Sequence, residues 1–504
     1  MTTLTAPEGA RLRRLQRALG LPAANPLVMA AVGLLWLALA LLLAGGLFTL
    51  IWVTLTQGVI APDAGGDLWE FRFRLAQMLA LTTVLGAVVA LPITLTRLRL
   101  SREQAETAKE ALFNQKITEA AADLYAQRQV TLRPITGGPV NGWEDDIVRR
   151  NAAIDRLEGL VRERPEEAER VARLLSTYVR ELSREHPPKP VPETEDVGEI
   201  KAWAHSLRPA RSDMENAAQV LGRLAQINVS EDLRRAIDLR DANLQGFDLT
   251  SALFNGAHLD GAQLQGANLS RAQLQGARLV CAQLQGTVLN RARLQSARFD
   301  NAQLQGARLE RTQLQGANFY RALLHEVRLE WAQLQRASLS GAQLQRANFA
   351  RAKLQRAVLG GAQLQGANFR MVQMQGANLN VAMLQGTNLA GAQLQGASLY
   401  GARLQRAKLI EAQLQGADLD RAEMDESTDL TGAILRGASI RAVNETTLAR
   451  LQRFWNDIFA DGSVPVSKNQ RPTHWKSEEL FAVDFRDAWR AWQRSIGMDP
   501  DDPK

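Results

Sequence analysis

An apolar residue recurs every five positions from Leu239 to Met424, and this period constrains the fold more than any other feature of the chain. Of the 38 pentapeptides, 31 have Leu at the centre and seven have Phe or Met. Two residues before the centre, 31 pentapeptides have Ala and the others have another small or apolar residue. Such a repeat indicates that each unit buries its apolar side chains only by stacking on its neighbours.

A period of five fits neither a regular helix nor a regular strand. An α-helix turns by about 500° over five residues, so the apolar row would wander around its surface. Each glycine in the stretch would also weaken a helix interior by roughly 1 kcal/mol. In a plain strand, the two-residue alternation falls out of step with a period of five. The pattern therefore predicts a solenoid that turns once per pentapeptide, with successive coils hydrogen-bonded at strand spacing.

Residues 242–246 (Ala-Asn-Leu-Gln-Gly) and 417–421 (Ala-Asp-Leu-Asp-Arg) match the pattern Ala-Asp/Asn-Leu-X-X directly. This pattern resembles the pentapeptide-repeat family. The resemblance implies a right-handed quadrilateral β-helix with four pentapeptides per coil, which we place at residues 231–442. The repeats would then form a rod about 45 Å long, at ~4.8 Å per coil. We expect a core that includes Leu264, Leu284 and Leu304, with stacked phenylalanines at Phe299, Phe319, Phe349 and Phe369.

With four pentapeptides per coil, residues twenty positions apart lie on one face. One face carries an unbroken row of glutamines at Gln275, Gln295, Gln315, Gln335, Gln355, Gln375, Gln395 and Gln415. These amides either stabilise the rod by hydrogen bonds between coils or bind a partner. Another face carries Arg271, Arg291, Arg311 and Arg351. Because Glu310 and Glu330 are close in sequence, this face is either solvated and partly self-paired, or it recognises an acidic partner or anionic lipid.

Two uncharged segments near the N-terminus predict a transmembrane hairpin over residues 25–97, with spans at about 27–55 and 75–96. Each is long enough to cross a bilayer, which takes roughly 20 residues. A cleaved signal peptide is the alternative for the first segment, but its apolar core should be only about 7–15 residues long. A basic segment at 1–24 precedes the first span, and Arg97, Arg99 and Arg102 follow the second. The positive-inside rule then places both termini and the repeats in the cytoplasm.

Residues 98–230 predict a helical domain between the spans and the repeats. Its helices are expected from Leu98 to about Gln129, from Asp145 to Glu158, from Glu166 to Arg184, and from an N-cap at Ser212 to about Ile227. Residues 176–181 (Ser-Thr-Tyr-Val-Arg-Glu) and 217–223 (Ala-Ala-Gln-Val-Leu-Gly-Arg) resemble a bacterial, membrane-anchored subgroup of the family. That resemblance implies a helical collar between membrane and rod.

After Met424 the repeat slips by one residue and continues through Leu430, Leu435 and Ile440. Residues 443–504 predict a helical cap and a tryptophan-rich tail, with a helix from Asn444 to Ile458 that leaves the rod. The simplest interpretation of the tail tryptophans is that they anchor it to the collar or rod; the alternative is a docking site for another protein. These tryptophans are Trp475, Trp489 and Trp492.

The sequence contains no catalytic, cofactor-binding or metal-binding motif that we can identify, so we predict neither an enzyme nor a small-molecule substrate. A single cysteine, Cys281, excludes an internal disulfide. The leading hypothesis is a membrane-anchored scaffold that binds a protein partner through the rod. A DNA-mimicking topoisomerase binder is the alternative, but residues 237–426 carry 20 Arg or Lys against 14 Asp or Glu, and mimicry needs an acidic surface. Binding of anionic lipid or nucleic acid by the Arg face is a third possibility.

Overall fold

The structure, a computed structural model, describes residues 26–56, 68–132, 140–227 and 230–502. The chain divides into two compact units, at residues 1–116 and 117–504. The predicted basic segment at 1–24 and the connection between the two predicted spans at 57–67 lie outside the described residues.

The first unit contains helix α1 (Pro26–Thr56) and most of helix α2 (Leu68–Asp123). Both helices are long and apolar enough to cross a membrane by length and composition. The stretch Ala31–Thr56 has 26 residues, or about 39 Å of helix against a hydrocarbon core of about 30 Å. Trp36 Nε1 donates a hydrogen bond to the carbonyl oxygen of Val88 at 3.2 Å, which joins the two helices. Helix α2 continues through Pro92 without ending.

The predicted helix to Gln129 is wrong at its end, because α2 stops at Asp123. A β-hairpin follows instead, in which strand β1 (Gln127–Leu132) pairs antiparallel with strand β2 (Val140–Asp145). The next helix then begins two residues later than expected, at Ile147, because the side chain of Asp146 accepts the Arg149 N–H and caps it. The first three residues of β1 are all polar, so the strand has no clear two-residue alternation that would have indicated it.

Five helices lead into the repeats: α3 (Ile147–Glu163), α4 (Ala168–Glu185), α5 (Val197–Ser206), α6 (Ser212–Ile227) and α7 (Glu231–Ala236). Helices α3, α4 and α6 pack on one another around fully buried side chains such as Leu157, Leu175 and Leu221. These three helices were predicted from the sequence, although the predicted α3 ended five residues too early, and α5 and α7 were not predicted. Ser212 is the first residue of α6 rather than its N-cap, because the carbonyl of Arg211 already accepts the Glu215 N–H at 3.3 Å.

The repeats form a solenoid with twenty residues per coil. Parallel bridges join each coil to the next on four sides, as in Asn243 to Gln263 and Asp248 to Asn268. The Leu244 N–H donates to the Gln263 carbonyl at 2.8 Å, and the Gln263 N–H donates to the Ala242 carbonyl at 2.9 Å. Alanine and leucine side chains point inward and are buried along the whole rod. The one-residue slip after Met424 also occurs here, since Lys408 bridges to Asp429, twenty-one residues on.

At the C-terminal end, the chain leaves the solenoid for a short helical segment and then adds one more strand to it. The predicted helix from Asn444 to Ile458 is wrong in its second half: helix α8 (Glu445–Leu451) and a 3₁₀ turn (Gln452–Phe454) are followed by strand β4 (Ile458–Ala460). Strand β4 pairs in parallel with strand β3 (Ala438–Ile440), twenty residues earlier, and so extends the solenoid ladder. Helix α9 (Ala482–Ser495) lies in the tail.

Candidate interaction surface

The predicted arginine row occupies one turn position on one face of successive coils. Arg271, Arg291, Arg311 and Arg351 have φ angles of 61°, 59°, 59° and 60°. Trp331 fills the gap in the row and has a φ angle of 63°. Many other coils have glycine at turn positions, where this left-handed conformation carries no steric cost. Side chains with a Cβ are strained there, and a bulky aromatic residue is a genuine outlier.

All four arginines are exposed, and they do not pair with the acidic residues beside them. Instead, Glu310 accepts from Arg308 at 3.4 Å and from Arg328 at 3.2 Å. Glu330 accepts from Arg328 at 3.3 Å. In the part of the chain that the structure describes, the guanidinium groups of Arg271, Arg291 and Arg311 have no ion pair and no hydrogen bond. The face is therefore solvated and partly self-paired, as one interpretation of the sequence predicted, but its ion pairs are made by Arg308 and Arg328 and not by the arginines of the row.

Trp331 gives the row an apolar contact point. Its side chain is 50% exposed, and the guanidinium carbon of Arg351 lies 4.9 Å from the ring centroid. Met371 follows at the same turn position of the next coil and is 48% exposed. Tryptophan and arginine are the residues most enriched at the centres of protein interfaces. The row thus combines unpaired positive charge with an exposed aromatic ring.

The glutamine rows hold neighbouring coils together. Gln315 Nε2 donates to Gln333 Oε1 at 2.8 Å, and Gln355 Nε2 donates to Gln373 Oε1 at 2.7 Å. The same bond, from a turn glutamine to a glutamine eighteen residues on, recurs along both glutamine faces. These contacts support the rod-stabilising interpretation of the glutamines. The partner-binding interpretation stays a prediction.

Helix α5 lies in a groove of glycines on the first glutamine face, whose coil centres include Leu244 and Leu264. The groove is formed by turn glycines of four successive coils, at Gly246, Gly266, Gly286 and Gly306. A Cβ on Gly246 would lie 2.8 Å from the Leu207 carbonyl oxygen, and one on Gly286 would lie 2.7 Å from the Ala204 Cβ. Any larger residue in the groove would therefore displace the helix. Sequence reasoning missed this docking, although four consecutive glycines at twenty-residue spacing were visible.

The repeats also decide which proteins this chain is related to. The sequence pattern of the family described as Pentapeptide repeats matches in eight copies, over residues 235–271, 267–306, 302–341, 342–380 and 383–425. HetL, a pentapeptide repeat protein involved in heterocyst differentiation regulation from the cyanobacterium Nostoc sp. strain PCC 7120, is 34% identical over 40% of this chain and 88% of its own, with a TM-score of 0.28. The chain belongs to the pentapeptide-repeat family. Membership implies that the solenoid is a right-handed β-helix.

Two further solved structures are similar to this pentapeptide-repeat protein. A pentapeptide repeat protein of the Arabidopsis thaliana thylakoid lumen is 26% identical over 23% of this chain and 71% of its own, with a TM-score of 0.15. Full-length QnrB1, a plasmid-mediated fluoroquinolone resistance protein, is 14% identical over 45% of this chain and 94% of its own, with a TM-score of 0.19. Comparison with curated protein sequences gave no match.

The tail tryptophans of this pentapeptide-repeat protein contact the end of its rod. Trp475 Nε1 donates to the carbonyl of Ile458 at 2.8 Å, and Trp489 Nε1 donates to the carbonyl of Gly437 at 2.8 Å. The ring of Trp492 stacks on His474 with centroids 4.9 Å apart. The tail also packs beside the last coils, where burial and, to a lesser extent, the neighbouring Asp418 carboxylate together raise the pKa of the Asp420 carboxyl to about 8.

A cleft of about 680 Å³ lies where helix α5 begins on the first glutamine face. Among its lining residues, Glu326 and Arg346 form an ion pair at 3.6 Å, and burial lowers the pKa of the His325 imidazole. The cleft is open and continues the groove in which α5 lies. Within the described residues, no group of three or more His, Cys, Asp or Glu side chains is arranged to hold a metal ion.

The core of the rod contains the residues predicted for it. Leu264, Leu284 and Leu304 are buried. The rings of Phe299 and Phe319 stack with centroids 4.7 Å apart, and so do the rings of Phe349 and Phe369.

Proposed function

We propose that this pentapeptide-repeat protein is a non-catalytic scaffold, anchored in a bacterial inner membrane, that binds an acidic protein partner through its arginine row. The observation that carries the proposal is the set of exposed guanidinium groups without carboxylate partners at Arg271, Arg291 and Arg311. Each nearby carboxylate is already taken up by Arg308 or Arg328. These guanidinium groups are therefore available to bind acidic side chains of a partner, next to the aromatic ring of Trp331.

The membrane anchor is supported by the composition of α1 and α2. Their apolar side chains are exposed to an unusual degree, with Leu35 at 76% and Leu42 at 73%. Soluble monomers rarely expose apolar patches of this extent, whereas a bilayer would cover them. Arginines before α1 and after the apolar part of α2 favour a cytoplasmic location for the repeats.

The charge of the rod argues against the alternative of a DNA mimic that binds topoisomerases. Residues 237–426 carry 20 basic and 14 acidic residues, so the rod has a net charge of 20 − 14 = +6. A mimic of duplex DNA needs a dense negative surface. Direct binding of nucleic acid by the row is less well supported, because apart from Trp331 the row lacks the interleaved aromatic residues on which bases stack.

The experiment that tests the proposal is photo-crosslinking in cells, with a crosslinker placed beside the row and the captured partner identified. One variant replaces Arg271, Arg291, Arg311 and Arg351 by Gln. A matched control replaces Arg336, Arg346, Arg356 and Arg406, which are exposed, occupy the same left-handed turn position and lie on the two glutamine faces.

We expect a partner that the native protein and the control variant both capture and that the row variant loses. Equal capture by all three proteins would refute the role of the row. A partner lost from both variants would indicate that only total charge matters.

A further inference from the structure

We infer that the arginine row recognises an acidic α-helix of the partner, lying along the rod axis with one helical turn per coil. This inference rests on the proposed function and adds the conformation of the bound segment. Its basis is the similarity between the pitch of an α-helix and the spacing of the coils. Helix α5, which lies along the first glutamine face, shows the same similarity within this chain.

Helix α5 shows that a helix can follow this rod in register. Its residues meet the glycine groove in order, from Leu207 at Gly246 to Val197 at Gly306. Ten helical residues rise by about 15 Å, and three coil steps rise by about 14 Å. A helix on this rod therefore presents one turn to each coil without accumulating a large offset.

The arginine row has the same spacing as that groove. From Arg271 to Arg351 there are four coil steps, or about 19 Å. Carboxylates placed every three or four residues along a helix repeat at about 5.4 Å, so the offset grows by about 0.6 Å per coil and reaches about 2.4 Å over the row. Long arginine side chains can absorb such an offset. An extended peptide repeats its same-side residues at about 6.7 Å and would be out of register by about 8 Å over the same distance.

Trp331 adds a requirement for one position of the partner helix. Its ring is half exposed and lies where a fifth arginine would otherwise stand, with Arg351 stacked against it. An aliphatic residue of the partner would cover this ring, in line with three glutamates or aspartates on one side of it, facing Arg271, Arg291 and Arg311, and one on the other side, facing Arg351. The recognised pattern is thus acidic residues at three- or four-residue spacing, interrupted once by an apolar residue.

The row is a poor match for the other polyanions. Phosphates along one strand of duplex DNA repeat at about 3.4 Å, which loses register with the coils by about 1.4 Å per step. Glu310 and Glu330 lie along the same face and keep about 83% of their side-chain surface buried, being 16% and 17% exposed. Both carboxylates pair with Arg308 or Arg328, so they leave the positive charge of the row itself uncompensated.

The test measures binding of fluorescent synthetic helices to the purified full-length protein in detergent. The probe is an alanine-rich helical peptide with glutamates every three or four residues and one leucine in the same line. A second peptide with the reversed sequence tests binding with the opposite direction of the helix along the rod. The control peptide has the same composition, but its glutamates point all around the helix. Duplex DNA and vesicles of phosphatidylglycerol are the other probes.

We expect the in-line peptide, in one of its two orientations, to bind roughly tenfold or more tightly than the control peptide, since several weak ion pairs act together. The four-fold Arg→Gln variant of the row should lose this preference, and the control variant on the glutamine faces should keep it. Binding should also weaken with added salt.

Equal binding of the in-line and control peptides, or no binding of either, would overturn the inference. Tighter, row-dependent binding of DNA or vesicles would overturn it in favour of a polyanion. If the peptides fail while the row variant still loses its crosslinked partner in cells, the proposed function stands and only the helical conformation is refuted.

Discussion

Replacing Ser183 by Ala should destabilise the first coil of the rod. Inside the rod, the N–H of each bridging residue donates to a carbonyl of the preceding coil, as Gln263 does to Ala242. The first coil has no preceding coil, so its four bridging N–H groups need other acceptors. Helices α4 and α6 supply them: Ser176 Oγ for Asp238 at 3.2 Å, Ser183 Oγ for Asn243 at 2.9 Å, Glu215 Oε1 for Asp248 at 2.7 Å and the Gly222 carbonyl for Leu253 at 2.9 Å.

The expected magnitude follows from burial at Asn243. This residue is 3% exposed and Ser183 is 6% exposed, so water cannot readily replace the lost hydroxyl. A buried N–H left without an acceptor costs about 1–3 kcal/mol. The substitution improves helix propensity by at most about 0.5 kcal/mol, which offsets part of this cost. We therefore expect Ser183→Ala to lower the free energy of unfolding of the rod by about 1–2 kcal/mol.

The assay combines urea unfolding with amide hydrogen exchange. Because contacts in a solenoid are between neighbouring coils, faster exchange should be confined to the first coils and should not reach the middle of the rod. Thr177→Ala is the matched control, since it removes a hydroxyl from an exposed position of the same helix. Equal stability of the two variants, with unchanged exchange at the Asn243 amide, would refute the capping argument.

Two further predictions concern other parts of the rod. The Asp420 carboxyl has a folded pKa of about 8 and an unfolded pKa near 3.9, so stability should fall as pH rises from about 4 to about 8 and then level off. Asp420→Asn should remove the part of this slope that Asp420 contributes, on the order of a few kcal/mol, and leave the part that comes from the raised pKa of the buried Asp418 carboxyl, in unfolding curves recorded across that range. An unchanged slope would contradict the assignment. Gly266→Ala should loosen helix α5, measured as faster hydrogen exchange in the helix, because a Cβ there would strike the backbone of Ala204. Gly276→Ala is its control, since both glycines have a φ of +67° but Gly276 has nothing within 4 Å of the added atom, so equal exchange in the two variants would count against a steric fit.

The five-residue period was sufficient to predict the solenoid, its inward residues and the slip after Met424. These features depend on burial, which repeats along the sequence in the same way as along the rod. The β-hairpin of β1 and β2 was missed because it follows a long helical segment and has only six residues in each strand. Helix α5 was missed because its ten residues are short for a helix and its stability comes from the glycine groove rather than from its own sequence.

The arginine row could be located from the sequence, since twenty-residue spacing places its members on one face. The ion pairs on this face could not be predicted from the sequence. Which arginine reaches Glu310 depends on whether the side chain leaves the coil from the bridging position, as in Arg308, or from the left-handed turn, as in Arg311. Both positions are polar in the repeat, so only the coil geometry distinguishes them.

The conformational strain of the arginine row gives one more test of its role in binding. A residue with a Cβ in the left-handed region is strained by roughly 1–2 kcal/mol, and glycine avoids this strain at an entropic cost of about 0.5–1 kcal/mol. Replacing Arg271, Arg291, Arg311 and Arg351 together by Gly should therefore stabilise the rod by about 2–4 kcal/mol, and the loss of repulsion between neighbouring guanidinium groups should add to this. The groove under α5 already has glycine at these positions, where close packing requires it. The face that carries the arginine row is not covered by a helix. The backbone strain and the charge repulsion of the row are explained there if the arginines serve binding rather than stability. A rod that becomes more stable to urea while losing its crosslinked partner would have this trade-off, whereas a rod that becomes less stable would show that the arginines hold the coils together.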